Sequence, residues 1–173
     1  MEDAARARRE GRLEDAYRGY IQAADVCRAR QDRRSLIAAL KGVGQIERDR
    51  GHLDASLVAY EEAVALAREE SDPLLLAHSL RHAGDILRHL RRLSDAELRC
   101  TEALAIYREQ SNASPLDLAN AIRSVAVLKE DMGANAEALS FWEKAQQIYS
   151  SLGIQAGVDE CRARIAGIAR RNP

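Results

Sequence analysis

Basic side chains recur in this sequence at a nearly constant interval, and this spacing is the feature that could support binding chemistry. Lys41, Arg81 and Arg123 form one column, with offsets of 40 and 42 between successive members. Arg164 continues that column at a further offset of 41. A second column of arginines runs parallel to it, and it consists of Arg8, Arg48 and Arg88, with Glu130 at the fourth position.

Two interpretations of these columns remain open. Residues seven apart lie on one face of a helix, so Lys41 and Arg48 would project from the same side. The columns therefore predict a basic surface that binds an acidic or carboxylate-ended peptide. The alternative is a set of solvated arginines that form ion pairs with nearby acids and bind nothing, the candidate acids being Asp49, Asp85 and Asp131.

Histidines cluster within one segment of the same pattern. His78, His82, Asp85 and His89 are separated by four, three and four positions, which puts them along one helical face. Two histidines one turn apart could share a metal ion, but no Cys or Glu stands at matching spacing. The other interpretations are ordinary surface polarity and a groove whose affinity depends on pH, because imidazoles beside arginines resist protonation until acid pH. The sequence predicts no metal site.

Catalytic signatures are absent from the sequence. There is no nucleophile and base pair, no phosphate-binding loop and no metalloprotease motif. Gly42 and Gly44 stand within a helical pattern rather than after a strand, and the third glycine of a dinucleotide fingerprint is missing. We therefore expect a protein that is not an enzyme and that needs no cofactor.

An internal repeat must position the basic columns. Four stretches can be superimposed at offsets of 40, 40 and 42, and a fixed period of this length indicates stacked supersecondary units. Each unit carries a small residue, a larger residue four positions later and an alanine three positions after that. These triplets are Ala16, Tyr20 and Ala23; Ser56, Tyr60 and Ala63; Ala96, Cys100 and Ala103; and Ala138, Trp142 and Ala145.

Each unit is predicted to form two antiparallel helices. Apolar and small residues recur at helical spacing over 36–50 and again over 53–70, with Gly51 ending the first helix. Gly44 and Gly84 stand inside predicted helices, where glycine costs about 1 kcal/mol relative to alanine. Close approach of a second helix would explain them.

The boundaries between units carry helix-start signals. Asp72 before Pro73 and Ser114 before Pro115 combine a capping side chain with a proline suited to the first turn. The second unit therefore ends near position 72 and the third near position 114.

These columns resemble those of the tetratricopeptide repeat family. The residues that carry the resemblance are Leu40, Val43, Gly44, Gly51, Ser56, Tyr60 and Ala63; Leu80, Ala83, Gly84, Ala96 and Ala103; and Ile122, Val125, Ala126, Gly133, Ala138, Trp142 and Ala145. The long period is similar to that of kinesin light chain repeats. The resemblance implies an all-α, right-handed α-solenoid forming a single domain over 1–173, with repeats at about 1–32, 33–72, 73–114 and 115–152 and a capping helix at about 154–171. Arg91 replaces the expected turn glycine of the third repeat.

The resemblance also implies where a ligand would bind. In this family the first helices of the hairpins line a concave groove that holds peptides. The residues that would line it here are Lys41, Gln45, Arg48, His78, Arg81, His82, Asp85, Arg88, Asn120 and Arg123. Amides such as Gln45 and Asn120 could hydrogen-bond the backbone of an extended peptide. A clamp for chaperone tails is not expected, because His82, Asn120 and Ser124 depart from its residue set.

Composition narrows the class of protein further. The net charge of −1 argues against general binding to nucleic acid or an anionic membrane, and no apolar run is long enough for a membrane span. Cys27, Cys100 and Cys161 fall in helical patterns and are expected to be free thiols in a reducing, cytoplasmic setting. Arginine outnumbers lysine 23 to 3, which is typical of GC-rich bacterial genomes.

The predicted function is a scaffold that binds an acidic peptide or protein segment in a basic groove. Two alternatives remain open. The short first unit could stack on another copy in a homo-oligomer, or the chain could be a sensor or regulatory domain from a larger signalling protein.

Overall fold

The computed structural model describes residues 1–171, and this part of the chain contains nine α-helices. Their bounds are α1 Glu2–Arg9, α2 Leu13–Ala29, α3 Arg33–Asp49, α4 Leu53–Arg68, α5 Pro73–His89, α6 Leu93–Glu109, α7 Pro115–Asp131, α8 Asn135–Ser151 and α9 Gln155–Arg171. The last two positions of the predicted domain, 172 and 173, lie outside the described range.

Consecutive helices pack against one another along the whole described chain. The pairs α1–α2, α3–α4, α5–α6 and α7–α8 form four hairpins, and each second helix also packs on the first helix of the next hairpin. Helix α9 packs on α8 in the place that a fifth first helix would take. The sequence-based prediction of an all-α solenoid with four hairpins and a capping helix is confirmed.

Turn and cap residues act as the sequence indicates. The Asp72 carboxylate accepts a hydrogen bond from the backbone N–H of Leu75, and the Ser114 hydroxyl accepts one from that of Leu116. Gly51 has a φ of 82°, the left-handed conformation that ends α3. Arg91 adopts the same conformation with a φ of 62°, so the third turn keeps its geometry without glycine.

The helical glycines allow close contact with large side chains. A Cβ atom on Gly44 would lie 2.8 Å from the ring of Tyr60, and one on Gly42 would lie 2.4 Å from the ring of Tyr20. At Gly84 the added atom would lie 2.4 Å from the Sγ of Cys100. Cys100 is therefore tightly packed, and burial raises the pKa of its thiol to about 12.

Candidate functional site

The predicted basic columns lie on the first helices of the hairpins, and three of their arginines form ion pairs with acids of the next first helix. Arg8 on α1 donates to Asp49 on α3 at 2.8 Å. Arg88 on α5 donates to Asp131 on α7, also at 2.8 Å. These pairs cross-link neighbouring repeats, so their arginines are not freely available to a ligand.

The third pair of this kind is the strongest in geometry. Arg123 on α7 donates two hydrogen bonds to the two carboxylate oxygens of Glu160 on α9, both at 2.7 Å. A bidentate arginine and carboxylate pair is directional and charge-assisted. The pair lowers the pKa of the Glu160 carboxyl. Arg123 therefore connects the capping helix to the fourth hairpin, a role that the sequence did not predict because Glu160 lies 37 residues away.

Asp49, Asp85 and Asp131 are the acids expected under the alternative interpretation of the columns, and ion pairs to all three are present. Arg48 contacts its chain neighbour Asp49 at 3.0 Å, and Arg81 lies 3.7 Å from Asp85. The predicted groove face therefore carries acids that partly neutralise its cations, and it is not uniformly basic.

Lys41 differs from the other cations of these columns. Its side chain is half-buried on α3, and within residues 1–171 it has neither an ion-pair partner nor a hydrogen bond. Burial is the main cause that lowers the pKa of its ammonium group, and the positive charge of Arg81 adds to it, while Asp117 and Asp72 act in the opposite direction. A half-buried, unpaired cation is costly, and an anion that bound there would offset that cost.

Unsatisfied polar atoms surround the neighbouring side chain of Arg81. Its Nε is buried without a hydrogen-bond partner among the described residues, and the same is true of His78 Nδ1 and of the Tyr107 hydroxyl. Burial lowers the pKa of His78, and the charges of Lys41 and Arg81 lower it further. Burial raises the pKa of Tyr107, and the charge of Arg81 acts against that rise, so electrostatic interactions couple the four groups. We call them the Lys41 cluster.

Tyr107 was not among the residues that the sequence predicted for this face. It is a second-helix residue on α6 and only 3% exposed, so its ring fits the pattern of core packing. It belongs to the cluster because its buried hydroxyl has no hydrogen-bond partner among the described residues. The sequence does not indicate whether the hydroxyl of a core tyrosine has such a partner.

His82 is held neutral beside this cluster. Its ring stacks on Tyr60 with centroids 5.3 Å apart and an interplanar angle of 11°, and it lies 4.7 Å from the ring of His78. Arg81 donates to His82 Nε2 at 3.0 Å, which requires that nitrogen to be unprotonated.

Burial, followed by the nearby cations, lowers the pKa of His78 to about 3 and that of His82 further still. Neither imidazole therefore gains a proton between pH 5.5 and 8. These shifts predict that the two histidines do not switch the affinity of the groove near neutral pH.

The remaining predicted site residues have different environments. Asn120 accepts a hydrogen bond from the Tyr149 hydroxyl at 2.8 Å, so its carbonyl oxygen is already engaged with α8. Gln45 is half-buried, one helical turn from Lys41 on α3. Among residues 1–171, no three side chains of His, Cys, Asp or Glu are arranged to hold a metal ion.

Comparisons with known proteins agree with this architecture. A family model described as anaphase-promoting complex subunit 5 matches residues 6–90, slightly less than half of the chain. No curated protein is significantly similar in sequence.

Within the described residues, no helix is both long and apolar enough to cross a membrane.

Several solved structures are similar across almost the whole chain. BtubC (BKLC) from P. vanneervenii superposes with a TM-score of 0.72 at 18% identity, covering 97% of this chain and 77% of that one. A putative kinesin light chain with nearly identical TPR-like repeats from Podosopora anserina gives 0.71 at 14% identity, with 98% and 93% covered. MamA gives 0.62 at 16% identity, with 99% and 96% covered.

The fold is that of the tetratricopeptide-like repeat proteins, as the sequence columns predicted. Its repeats are similar to those of kinesin light chain-like structures. Proteins of this fold generally serve as protein interaction scaffolds and are typically not catalytic.

Proposed function

We propose that this protein is a non-catalytic scaffold that binds an acidic peptide or protein segment along its first-helix face. The observation that carries the proposal is the Lys41 cluster. It combines an unpaired, half-buried ammonium group with the unpaired Nε of Arg81 and the unpaired hydroxyl of Tyr107. The Lys41 ammonium group can donate several hydrogen bonds to a bound carboxylate. The Arg81 Nε and the Tyr107 hydroxyl are enclosed, so a ligand would reach them only after the side chains that cover them have moved.

The ligand chemistry follows from charge. Lys41 and Arg81 each carry a positive charge, while both histidines beside them are neutral, and Asp85 balances Arg81 only in part at 3.7 Å. A single carboxylate would give the Lys41 ammonium group an ion-pair partner and reduce the repulsion between the two cations. That carboxylate could come from an Asp or Glu side chain or from a peptide C-terminus.

The ion pairs narrow the choice of test variants. Charge reversal at Arg123 would break the bidentate pair with Glu160 and loosen α9, so lost binding would be ambiguous. Lys41→Met removes the charge, keeps the length of the side chain and breaks no pair among the described residues. Lys144→Met on α8 is the matched control, because Lys144 is exposed and its ammonium group lies over the ring of Phe141 at 5.4 Å.

Binding of labelled peptides measured by fluorescence anisotropy tests the proposal. One probe carries glutamates, the second carries glutamines instead, and each is made with a free and an amidated C-terminus. We expect tighter binding of the glutamate probe and about tenfold weaker binding to Lys41→Met, which is about 1.4 kcal/mol. A loss on C-terminal amidation would identify the terminal carboxylate as the source. Equal affinity of Lys41→Met and wild type, or of the glutamate and glutamine probes, would contradict the proposal.

A further inference from the structure

An open apolar groove lies on the second-helix side of the first two hairpins. It runs between α2 and α4 above the buried face of α3 and has a volume of about 390 Å³. Val58 on its α4 wall is 69% exposed, and Ile21 on its α2 wall is 37% exposed. We call it the outer groove; its lining residues include Tyr17, Ile21, Leu40, Val43, Val58 and Ala59.

The next hairpin shows how the repeat closes the equivalent space. Between α4 and α6, Arg99 donates to both carboxylate oxygens of Glu61 at 3.1 Å, and the pair spans the gap between the two helices. At the repeat offset of 40, Glu61 and Arg99 correspond to Ile21 and Ala59. The first groove therefore has an aliphatic side chain and a methyl group where the second has a bridging ion pair.

A neighbouring ion pair confirms the register of this comparison. Arg28 donates to Glu62 across the first gap at 2.9 Å, and Arg68 donates to Glu102 across the second at 2.6 and 2.8 Å. The partners are 34 residues apart in both pairs, and the second pair repeats the first at the same offset of 40. The groove is thus open because Ile21 and Ala59 replace the ion-paired Glu61 and Arg99 of the next gap. The spacing of the helices in the sequence is the same in both gaps.

The third gap is closed in another way. Between α6 and α8 the positions that correspond to Glu61 and Arg99 are Thr101 and Phe141, at the offsets of 40 and 42. Phe141 is half-buried and packs against the hydrophobic core. In the first gap, by contrast, apolar walls line an open volume of about 390 Å³.

Acidic groups surround the outer groove. Asp25 and Glu62 stand at its rim, and within residues 1–171 Arg28 is the one basic residue that lines it. The Arg28 guanidinium contacts both carboxylates, Asp25 at 3.2 Å and Glu62 at 2.9 Å. The guanidinium group of Arg28 therefore neutralises only one of the two negative charges at this rim.

A third carboxylate lies at the floor of the groove. Glu47 contributes to that floor where the equivalent residue of the next repeat is the buried Leu87. Its carboxylate contacts Arg50 at 3.3 Å and His52 Nδ1 at 2.7 Å. Arg50 also contacts Glu14, which in turn pairs with Arg18 at 3.1 Å. Among the residues that line the groove, the carboxylates of Asp25, Glu47 and Glu62 outnumber the single guanidinium group of Arg28, which favours a basic occupant, while the apolar walls favour aliphatic side chains.

We propose that the outer groove is a second protein-binding surface, which holds an amphipathic helical segment whose leucine-like side chains are flanked by Lys or Arg. An amphipathic helix lays its apolar stripe into a groove of this kind, and its basic flanks reach the carboxylates. The surface is separate from the Lys41 cluster, because Leu40, Val43 and Glu47 lie on a different face of α3 from Lys41. The two ligands have opposite charge and could bind at the same time.

The repeat itself supplies the test variant. Ile21→Glu combined with Ala59→Arg reproduces the Glu61 and Arg99 pair in the first gap, and it leaves the net charge unchanged. The probe is a labelled synthetic helix of about 15 residues with leucines at positions i, i+3, i+4 and i+7 and lysines elsewhere. We expect wild type to bind it and the double variant to bind at least tenfold more weakly, with an undiminished thermal unfolding midpoint. The Lys41→Met variant should bind this probe as wild type does.

Three further comparisons decide the proposal. Leu98→Ser, an exposed change on α6 at the position equivalent to Val58, should leave affinity unchanged. A probe with glutamates in place of lysines, or serines in place of leucines, should bind more weakly. Equal binding of the lysine probe to wild type and the double variant, or no binding to either, would overturn the proposal. So would a wild-type dimer in sedimentation that the double variant abolishes, since the occupant would then be a second copy.

Discussion

Trp142 on α8 donates its indole N–H to the carboxylate of Glu130 on α7 at 2.7 Å. The other oxygen of Glu130 accepts from Arg171 on α9 at 2.9 Å, and its side chain is only 9% exposed. One carboxylate thereby links the last three helices. Glu130 stands where the first three repeats carry arginine, so the reversed charge in this column matches the basic capping helix.

Replacing Glu130 with alanine should lower the free energy of unfolding by about 1–3 kcal/mol, because it leaves the buried indole N–H without a partner. Urea denaturation followed by circular dichroism measures the change. Glu143→Ala, at an exposed position on the same hairpin, should stay within about 0.5 kcal/mol of wild type. Equal effects of the two substitutions would contradict a structural role for the Glu130 network.

Gly84→Ala should destabilise the protein by about 1–3 kcal/mol although alanine is the better helix former, since its Cβ would lie 2.4 Å from Cys100 Sγ. Combining it with Cys100→Ala should recover part of this loss relative to the sum of the single changes. Gly167→Ala is the matched control on α9, where, apart from the neighbouring residues and backbone of the same helix, no atom of residues 1–171 lies within 4 Å of the added group. That substitution should stabilise by up to about 1 kcal/mol. Stabilisation by Gly84→Ala would refute the close contact.

Stability should decline as the pH falls below about 6.5, because His78 and His82 bind protons more readily in the unfolded chain. Because both pKa values are low in the folded protein, the unfolded state binds more protons in this pH range. Acid therefore shifts the equilibrium toward the unfolded state. The expected slope for each histidine approaches 1.4 kcal/mol per pH unit between about pH 6 and 4 and vanishes above pH 7.

Urea titrations at several pH values would measure that slope. The double variant His78→Gln and His82→Gln should have a shallower decline than wild type over the same range. Parallel pH profiles for the two proteins would show that these histidines are not responsible. The dependence of peptide affinity on pH between 5.5 and 8 should be the same in wild type and in the double variant.

Lys41→Met should weaken binding of the acidic peptide and yet raise the unfolding free energy by about 0.5–1 kcal/mol. The gain arises because the variant removes a half-buried charge that has no partner among the described residues. Thermal and urea unfolding without peptide would detect it. Destabilisation by this substitution would mean that Lys41 has a structural role in the stack.

Much of the architecture could be predicted from the sequence because its determinants are local. Helix starts at Asp72 and Ser114, the left-handed turn at Gly51 and the pairing of Gly44 with Tyr60 each depend on residues within one hairpin or at its boundary. Because the sequence repeats with a nearly constant period, similar local contacts form in each hairpin. Even the exception at Arg91 keeps the turn, because the helices on both sides determine its conformation.

The state of the candidate site depends on longer distances. Periodicity placed the cations on the first helices, but the partners of Arg8, Arg88 and Arg123 lie 41, 43 and 37 residues away in the next repeat. A long arginine side chain can reach several acids, and the stacking of neighbouring hairpins selects among them. Only the tertiary structure therefore distinguished Lys41 from the paired arginines. It also distinguished the open outer groove from the closed gaps, because Ile21 and Ala59 face each other only after the hairpins have stacked.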